Sequence, residues 1–264
     1  MKRPGYTFYL LLLGALGTGL LGCDSSGLED TEPPAPLSAE AFSVETFGEM
    51  QKRGAAGEHL TAAVLRYVPV SATLGATYLL IPKLLTEAAL EQTPQLIDDE
   101  WVWSATPGNG PIELTFRLGG RVIGTHVDWT MRISGNNLYT GKVDEFVLYT
   151  ARTAVDGSSG TWELYYKHED QTINVLDAEF TIDSPTEKQI TFSVPVDAPN
   201  YPGYVVRYER DGDLRIFYWY QPDVEQEHTL AWNPVLGIGW IESTDYKDGG
   251  RYCWNSNGED VACS

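Results

Sequence analysis

The sequence predicts an α+β protein that is mainly β: an antiparallel up-and-down meander of about 10–12 strands, forming an open or closed barrel around, or capped by, N-terminal apolar helices. Three observations lead there. From Trp101 onward, apolar and polar residues alternate with the period of two that a half-buried strand requires. Turn signals interrupt this pattern at intervals of about ten to fifteen residues. Ahead of it, residues 60–90 are apolar on nearly every side and carry only Arg66, Lys83 and Glu87 as charges.

The chain opens with Lys2 and Arg3, continues through an apolar stretch over residues 6–21, and turns acidic after Cys23, the charge order of a secretory signal. Gly14, Gly17, Gly19 and Gly22 make that stretch too short and too flexible for a span of ~20 apolar residues. Leu20-Leu21-Gly22-Cys23 resembles the lipobox of bacterial lipoproteins. That resemblance implies that residues 1–22 are removed and that Cys23 carries lipid. It also implies membrane attachment through Cys23 in the cell envelope, and the outer membrane, periplasmic or surface face, is the expected location. Residues 23–37 are acidic and Pro-rich, a tether rather than a packed segment. A single domain then runs over residues 38–264, helical over 38–95 and β over 101–264.

Residues 38–53 begin with a capping Ser38 and end before Gly54, so a short helix is expected there. Pro69 and Pro82 interrupt the next apolar stretch. Because proline breaks or kinks a helix, two helices are expected, about 58–67 and 71–90, the second bent at Pro82. A helix apolar all round must be hidden, while Arg66 and the prolines make it a poor membrane span. The expectation is a curved sheet wrapping this helix.

The strands follow. His126, Asp128, Thr130 and Arg132 alternate with Val127, Trp129, Met131 and Ile133, and residues 161–168 and 213–221 alternate similarly. Turns are expected at 107–110, Gly119-Gly120, 135–137, Asp156-Gly157, 183–185, 201–203, Asp211-Gly212 and 248–250. Asp-Gly between strand-like runs favours hairpins, and the lack of a long helical crossover excludes a doubly wound α/β fold. The helix beside a curved sheet resembles the half-barrel of envelope lipoprotein carriers, which implies a hollow for an acyl chain. The signal, the aromatic meander and the Cys-terminated tail resemble envelope lipoproteins of environmental bacteria.

After Cys23, only Cys253 and Cys263 remain, flanking a turn-rich segment, and a disulfide between them is expected. Loss of residues 1–22 removes Lys2 and Arg3, so the formal charge of −19 becomes −21. That charge argues against nucleic acid as a partner. No metal and no cofactor is expected, and neither Gly-x-Ser-x-Gly nor His-Glu-x-x-His occurs.

Candidates for chemistry are His126 with Asp128 and Arg132 on one strand face, and His168, Glu169 and Asp170 at a hairpin end. A solvated strand face and a polar turn are the simpler and preferred explanation of both sets. Asp98, Asp99 and Glu100 suit an exposed charged linker. Residues 210–215 lack the spaced ligands of a calcium loop and suit a hairpin. Tyr218, Trp219 and Tyr220 are the ligand-binding candidates, because three successive aromatics cannot all face one core.

The expected function is therefore a non-enzymatic envelope module that is structural or binds an apolar ligand. A preformed apolar cavity above about 300 Å³ is the mark of the ligand-binding version, and a helix filling the hollow would sink it. The alternatives are a surface module binding glycan or protein through exposed aromatics and, last, a hydrolase.

Overall fold

The computed structural model describes residues 32–35, 37–45, 57–105, 114–137, 141–168 and 171–263, and residues 33–264 form one compact unit. Among the described residues fourteen strands build a single antiparallel sheet in which each strand pairs with its sequence neighbours. They are β1 (Gln95–Ile97), β2 (Glu100–Ala105), β3 (Leu114–Ile123), β4 (His126–Asn137), β5 (Gly141–Ala154), β6 (Ser159–His168) and β7 (Gln171–Ser184). The second half comprises β8 (Glu187–Ser193), β9 (Val205–Asp211), β10 (Leu214–Gln221), β11 (Gln226–Asn233), β12 (Ile238–Ser243), β13 (Arg251–Trp254) and β14 (Asp260–Val261). β1 and β14 are the edges, and among the described residues no ladder joins them, so the sheet is open. The count exceeds the expected 10–12 because β1 and β14 are only three and two residues long.

Alternation decides which side faces inward. Phe116 and Leu118 on β3, Trp129, Met131 and Ile133 on β4, Trp162 and Leu164 on β6, Phe217 and Trp219 on β10, and Leu230 and Trp232 on β11 are all buried. Each buried aromatic or branched side chain of this size contributes about 1.5–3 kcal/mol relative to exposure. The register slips in the β4–β5, β6–β7 and β7–β8 ladders. Such bulges add twist and bend to a strand, which curves the apolar face inward.

The turns follow local backbone preference. Asp98 and Asp99, at φ 51° and 64°, form a two-residue loop closed by the Ile97–Glu100 pair, so this acidic run is a hairpin rather than a linker. Gly212, at φ 56°, turns β9 into β10, the hairpin expected for residues 210–215. Gly119-Gly120 is a correction: both lie inside β3 rather than in a turn. The reason is close packing, since a Cβ on Gly119 would strike the Glu100 carboxylate and one on Gly120 would strike the Trp129 ring.

A single helical rod crosses the sheet, composed of α1 (Glu58–Thr73), a π-helical turn (Leu74–Leu79) and α2 (Leu80–Leu90). Its start is fixed by Asp260, whose carboxylate accepts from the backbone N–H groups of Glu58 at 3.1 Å and His59 at 3.0 Å. A carboxylate there satisfies orphan donors and complements the helix dipole. α1 packs on β12, β13 and β14, whereas α2 packs on β2 and β3, so the rod reaches from one sheet edge to the other. In between, Tyr67 packs edge-on against Phe217 at 4.7 Å, and the Thr86 and Tyr149 hydroxyls meet at 2.7 Å.

The expected break near Pro69 does not occur. Pro69 deprives the Leu65 carbonyl of its partner, yet both residues lie on the solvent side, where water can take that place. Pro82 instead acts upstream. Its ring excludes the Tyr78 carbonyl from the α pattern, and the chain widens into the π turn, with Leu80 N–H bonded to the Gly75 carbonyl five residues back.

The helix expected over 38–53 is reduced to one 3-10 turn, Ala39–Phe42, with Ser38 accepting from Glu40 N–H at 3.2 Å. Beyond it, Ser43 and Glu45 are drawn out by cations of the sheet and the backbone becomes extended. Residues 46–53 of that expectation lie outside the described residues. Phe42 is buried between Tyr149 and Trp162 at 5.4 and 4.9 Å. Trp162 Nε1 donates to the Ala41 carbonyl at 3.2 Å. Residues 39–45 and the rod together fill the concave side of the sheet.

Candidate functional site

Beside the π turn, a half-open apolar cleft of about 160 Å³ remains. One wall is the rod at Pro69, Val70, Thr73, Leu74 and Tyr78. The other is the inner face at Leu176 of β7, Phe192 of β8 and Val206 of β9, and Tyr201 and Tyr204 of the loop between β8 and β9 close the rim. The wider π turn carries Leu74 and Tyr78, and the Tyr166 hydroxyl donates to the Thr77 carbonyl within it. That bond occupies one carbonyl of a turn where the regular ladder is disturbed. π turns recur at functional positions because they re-aim side chains without ending the helix.

The rim is strained and polar at one point. Tyr201 holds φ 55°, a left-handed conformation unusual for a bulky residue and positioned just before Pro202. Its ring meets that of Tyr204 at 5.4 Å, and Tyr204 Oη donates to Asp223 at 3.1 Å. Burial, reinforced by Asp223, pushes the Tyr204 phenol above its ordinary pKa, and burial does the same for Tyr78. Both phenols therefore stay neutral across physiological pH; the Tyr204 hydroxyl, its proton directed at Asp223, can still accept a hydrogen bond beside the apolar surface.

The opposite end of the concave side is plugged. Lys188 is buried, and its ammonium meets Glu40 at 2.6 Å, Ser43 Oγ at 2.9 Å and the Ser43 carbonyl at 3.2 Å. The Lys188 hydrogen bond holds the Glu40 carboxyl below its usual range. Arg215 and Arg210 both reach Glu45, at 2.7 and 3.1 Å. Residues 39–45 thus pair with Lys188, Arg210 and Arg215 at the ends of β8, β9 and β10, although Arg210 Nε stays buried without a hydrogen-bond partner among the described residues.

A third group gathers around His228. Its Nδ1 lies 2.7 Å from Ser243 Oγ and 3.6 Å from Asp245, which also bonds Ser243 and pairs with Arg66 at 2.8 Å. A nucleophilic relay needs serine and carboxylate on opposite ring nitrogens. Here both meet the same nitrogen, Ser243 is buried, and Nε2 is buried without a hydrogen-bond partner among the described residues. Burial pushes the His228 pKa down, so the ring is neutral, stacked on Trp219 at 4.6 Å. The group has the geometry of a structural network.

The sequence candidates separate as follows. Trp219 is buried on the inner face, whereas Tyr218 and Tyr220 are half-buried on the outer face, Tyr218 beneath Arg207 at 5.7 Å. Asp128 is taken by Arg152 through two hydrogen bonds of 2.7 and 3.0 Å, so His126, Asp128 and Arg132 form a charged strand face. Among the described residues no three His, Cys, Asp or Glu side chains are placed to hold a metal. Cys253 and Cys263 stand at disulfide distance, 2.11 Å, tying β13 to the tail. Cys23, Glu169 and Asp170 lie outside the described residues, as does the His168 side chain. The cleft residues were not singled out in the sequence, although Gly75 and Pro82 within one apolar helix were the available signal.

No protein-family model, no curated protein and no solved structure matches this chain.

Proposed function

We propose that this chain is a lipid-anchored envelope protein, held through Cys23, whose half-barrel presents a binding cleft for one small apolar group and carries out no chemistry itself. The cleft at the π turn is the observation that carries the reading. The rod fills the hollow and 160 Å³ falls short of the ~300 Å³ expected of a hydrophobic-ligand carrier, so only a narrower reading is supported: a cavity near 150 Å³ lined by aliphatic side chains accommodates a benzene ring. The ligand class that fits is therefore an aromatic ring or the end of a short aliphatic chain, with a neutral polar atom for the Tyr78 or Tyr204 hydroxyl. A whole acyl lipid, the cargo of the half-barrel carriers, finds its hollow occupied by the rod. The anchor reading rests on Leu20-Leu21-Gly22-Cys23.

Titration of the mature chain with p-cresol, followed by amide NMR, tests this. Saturable shifts confined to residues 69–78 and 192–206, lost in a Val206→Trp variant that fills the cleft, are expected. Absence of saturable shifts there would remove the reading. A second reading, recognition of a glycan by the outer face, is favoured by the outward Tyr218 and Tyr220. Saturable shifts at those two residues with a cello- or chito-oligosaccharide would promote it.

A further inference from the structure

The rod is apolar on both sides, and among the described residues only one side is covered. Toward the sheet it buries Leu60, Ala63, Tyr67, Leu74, Tyr78 and Ala89. Away from it, Leu65 is 68 % exposed, Val68 37 %, Leu80 46 % and Leu84 49 %, with exposed Ala72 and Ala76 between them. The extra residue of the π turn keeps Ala76 and Leu80 on the stripe begun by Leu65 and Val68, so it runs unbroken for about 28 Å at 1.5 Å per residue. From Leu65 to Leu84 the rod's two charges, Arg66 and Lys83, are half-buried beside the stripe, and each is paired with a carboxylate, Asp245 and Glu87.

We propose that this stripe is an interfacial docking surface that lays the domain on a bilayer of zwitterionic lipid, rod parallel to the membrane. Three observations select that occupant. The stripe is electrically neutral on a strongly acidic chain, which suits uncharged hydrocarbon and choline or ethanolamine headgroups rather than anionic lipid. Tyr201 of the β8–β9 loop, exposed by 46 %, stands beside Pro69 and Val70 of the rod, and a tyrosine at such a margin places its ring in the headgroup layer, while the exposed Asp197 keeps the rest of that loop in water. Finally, the chain between Cys23 and Pro34 can reach at most about 40 Å, which holds the domain at a bilayer. That last argument rests on the anchor reading above.

A competing apolar surface exists at the far rim, where hairpin tips expose Val122, Ile123, Val235 and Leu236. Those tips stand among Asp98, Asp99, Asp156, Asp211 and Asp213, whose carboxylates resist burial in lipid. The stripe has no carboxylate between Leu65 and Leu84.

The test uses the chain from position 23 onward with Cys23→Ser, so that no acyl anchor contributes, mixed with phosphatidylcholine vesicles and sedimented. We expect vesicle binding that salt does not weaken, and at least a tenfold loss of partition in the Leu65→Glu, Leu80→Glu, Leu84→Glu variant with its circular dichroism and Tm retained. No vesicle binding by the parent chain overturns the proposal. So does binding that survives in this variant and disappears with Ile123→Glu and Leu236→Glu. A dimer dispersed by the stripe substitutions, with no vesicle binding, assigns the stripe to a second copy instead. The mass of full-length protein from its envelope reads acylation of Cys23 separately, so failure of the anchor reading leaves the vesicle result interpretable.

Discussion

The concave side of the sheet has two ends that meet the same rod differently. At one end the strands supply Lys188, Arg210 and Arg215, and residues 39–45 return to cover them with Glu40, Ser43 and Glu45. At the other end the strands supply Leu176, Phe192 and Val206, and the chain leaves a cleft. A buried cation must be paired or it costs several kcal/mol, so the polar end demands a plug. An apolar wall makes no such demand and can stay open for a ligand.

The largest effect that would sharpen this contrast comes from Phe42→Ala at the plugged end. Phe42 is 1 % exposed and wedged between Tyr149 and Trp162, so its truncation should cost about 3–5 kcal/mol in chemical denaturation. Leu74→Ala at the cleft should cost nearer 2 kcal/mol, since its surroundings are already partly open. Equal losses would mean that the two ends are packed alike.

Next comes Glu45→Gln, which leaves Arg215 without its carboxylate. A loss of about 2 kcal/mol is expected, below the 3–5 kcal/mol of a fully buried pair because Glu45 is 38 % exposed. Adding Lys188→Met to Glu40→Gln should recover stability relative to Glu40→Gln alone, because an apolar pair removes the uncompensated charge.

A smaller effect is set by pH. The folded state keeps His228 neutral by burial, so its pKa lies below the unfolded value of about 6.5. As pH falls through about 6.5 the unfolded chain gains a proton that the folded chain does not, and stability declines until the depressed folded pKa is reached. His228→Phe should flatten the Tm profile between pH 7 and 5; an unchanged profile would show that the network does not control it. Smallest of all, Val206→Phe should fill the cleft and add about 0.5–1 kcal/mol while abolishing ring binding.

The meander was legible in the sequence because the face of each strand is written at every second residue, as in Val127, Trp129, Met131 and Ile133. The Cys253–Cys263 bond was legible because no other partner was near. The double glycine in β3 was misread as a turn because glycine permits both a turn and the close approach of Trp129, and only the three-dimensional partner decides. Pro69 was misread as a break because the cost of a missing N–H depends on whether the freed carbonyl reaches water. The cleft was not legible at all: its walls come from the rod, four strands and a loop, and pairing register, not local pattern, brings Leu74 beside Val206. Likewise, alternation correctly separated Tyr218 from Trp219, yet could not say which side was inward.

The protein's own rod lies along the concave side of the sheet, where it leaves a ring-sized cleft beside the π turn and, among the described residues, no hollow for an acyl chain. Native mass spectrometry of the protein, purified gently from the cells that make it, reads this arrangement out. The expected mass is that of the chain, two hydrogens short for the disulfide and raised by acyl chains where the proposed Cys23 anchor is present, with at most one small apolar molecule bound in the cleft. A phospholipid or other full-length acyl lipid retained one-to-one in a variant whose Cys23 is serine would contradict it, because such a ligand requires the rod to leave the sheet.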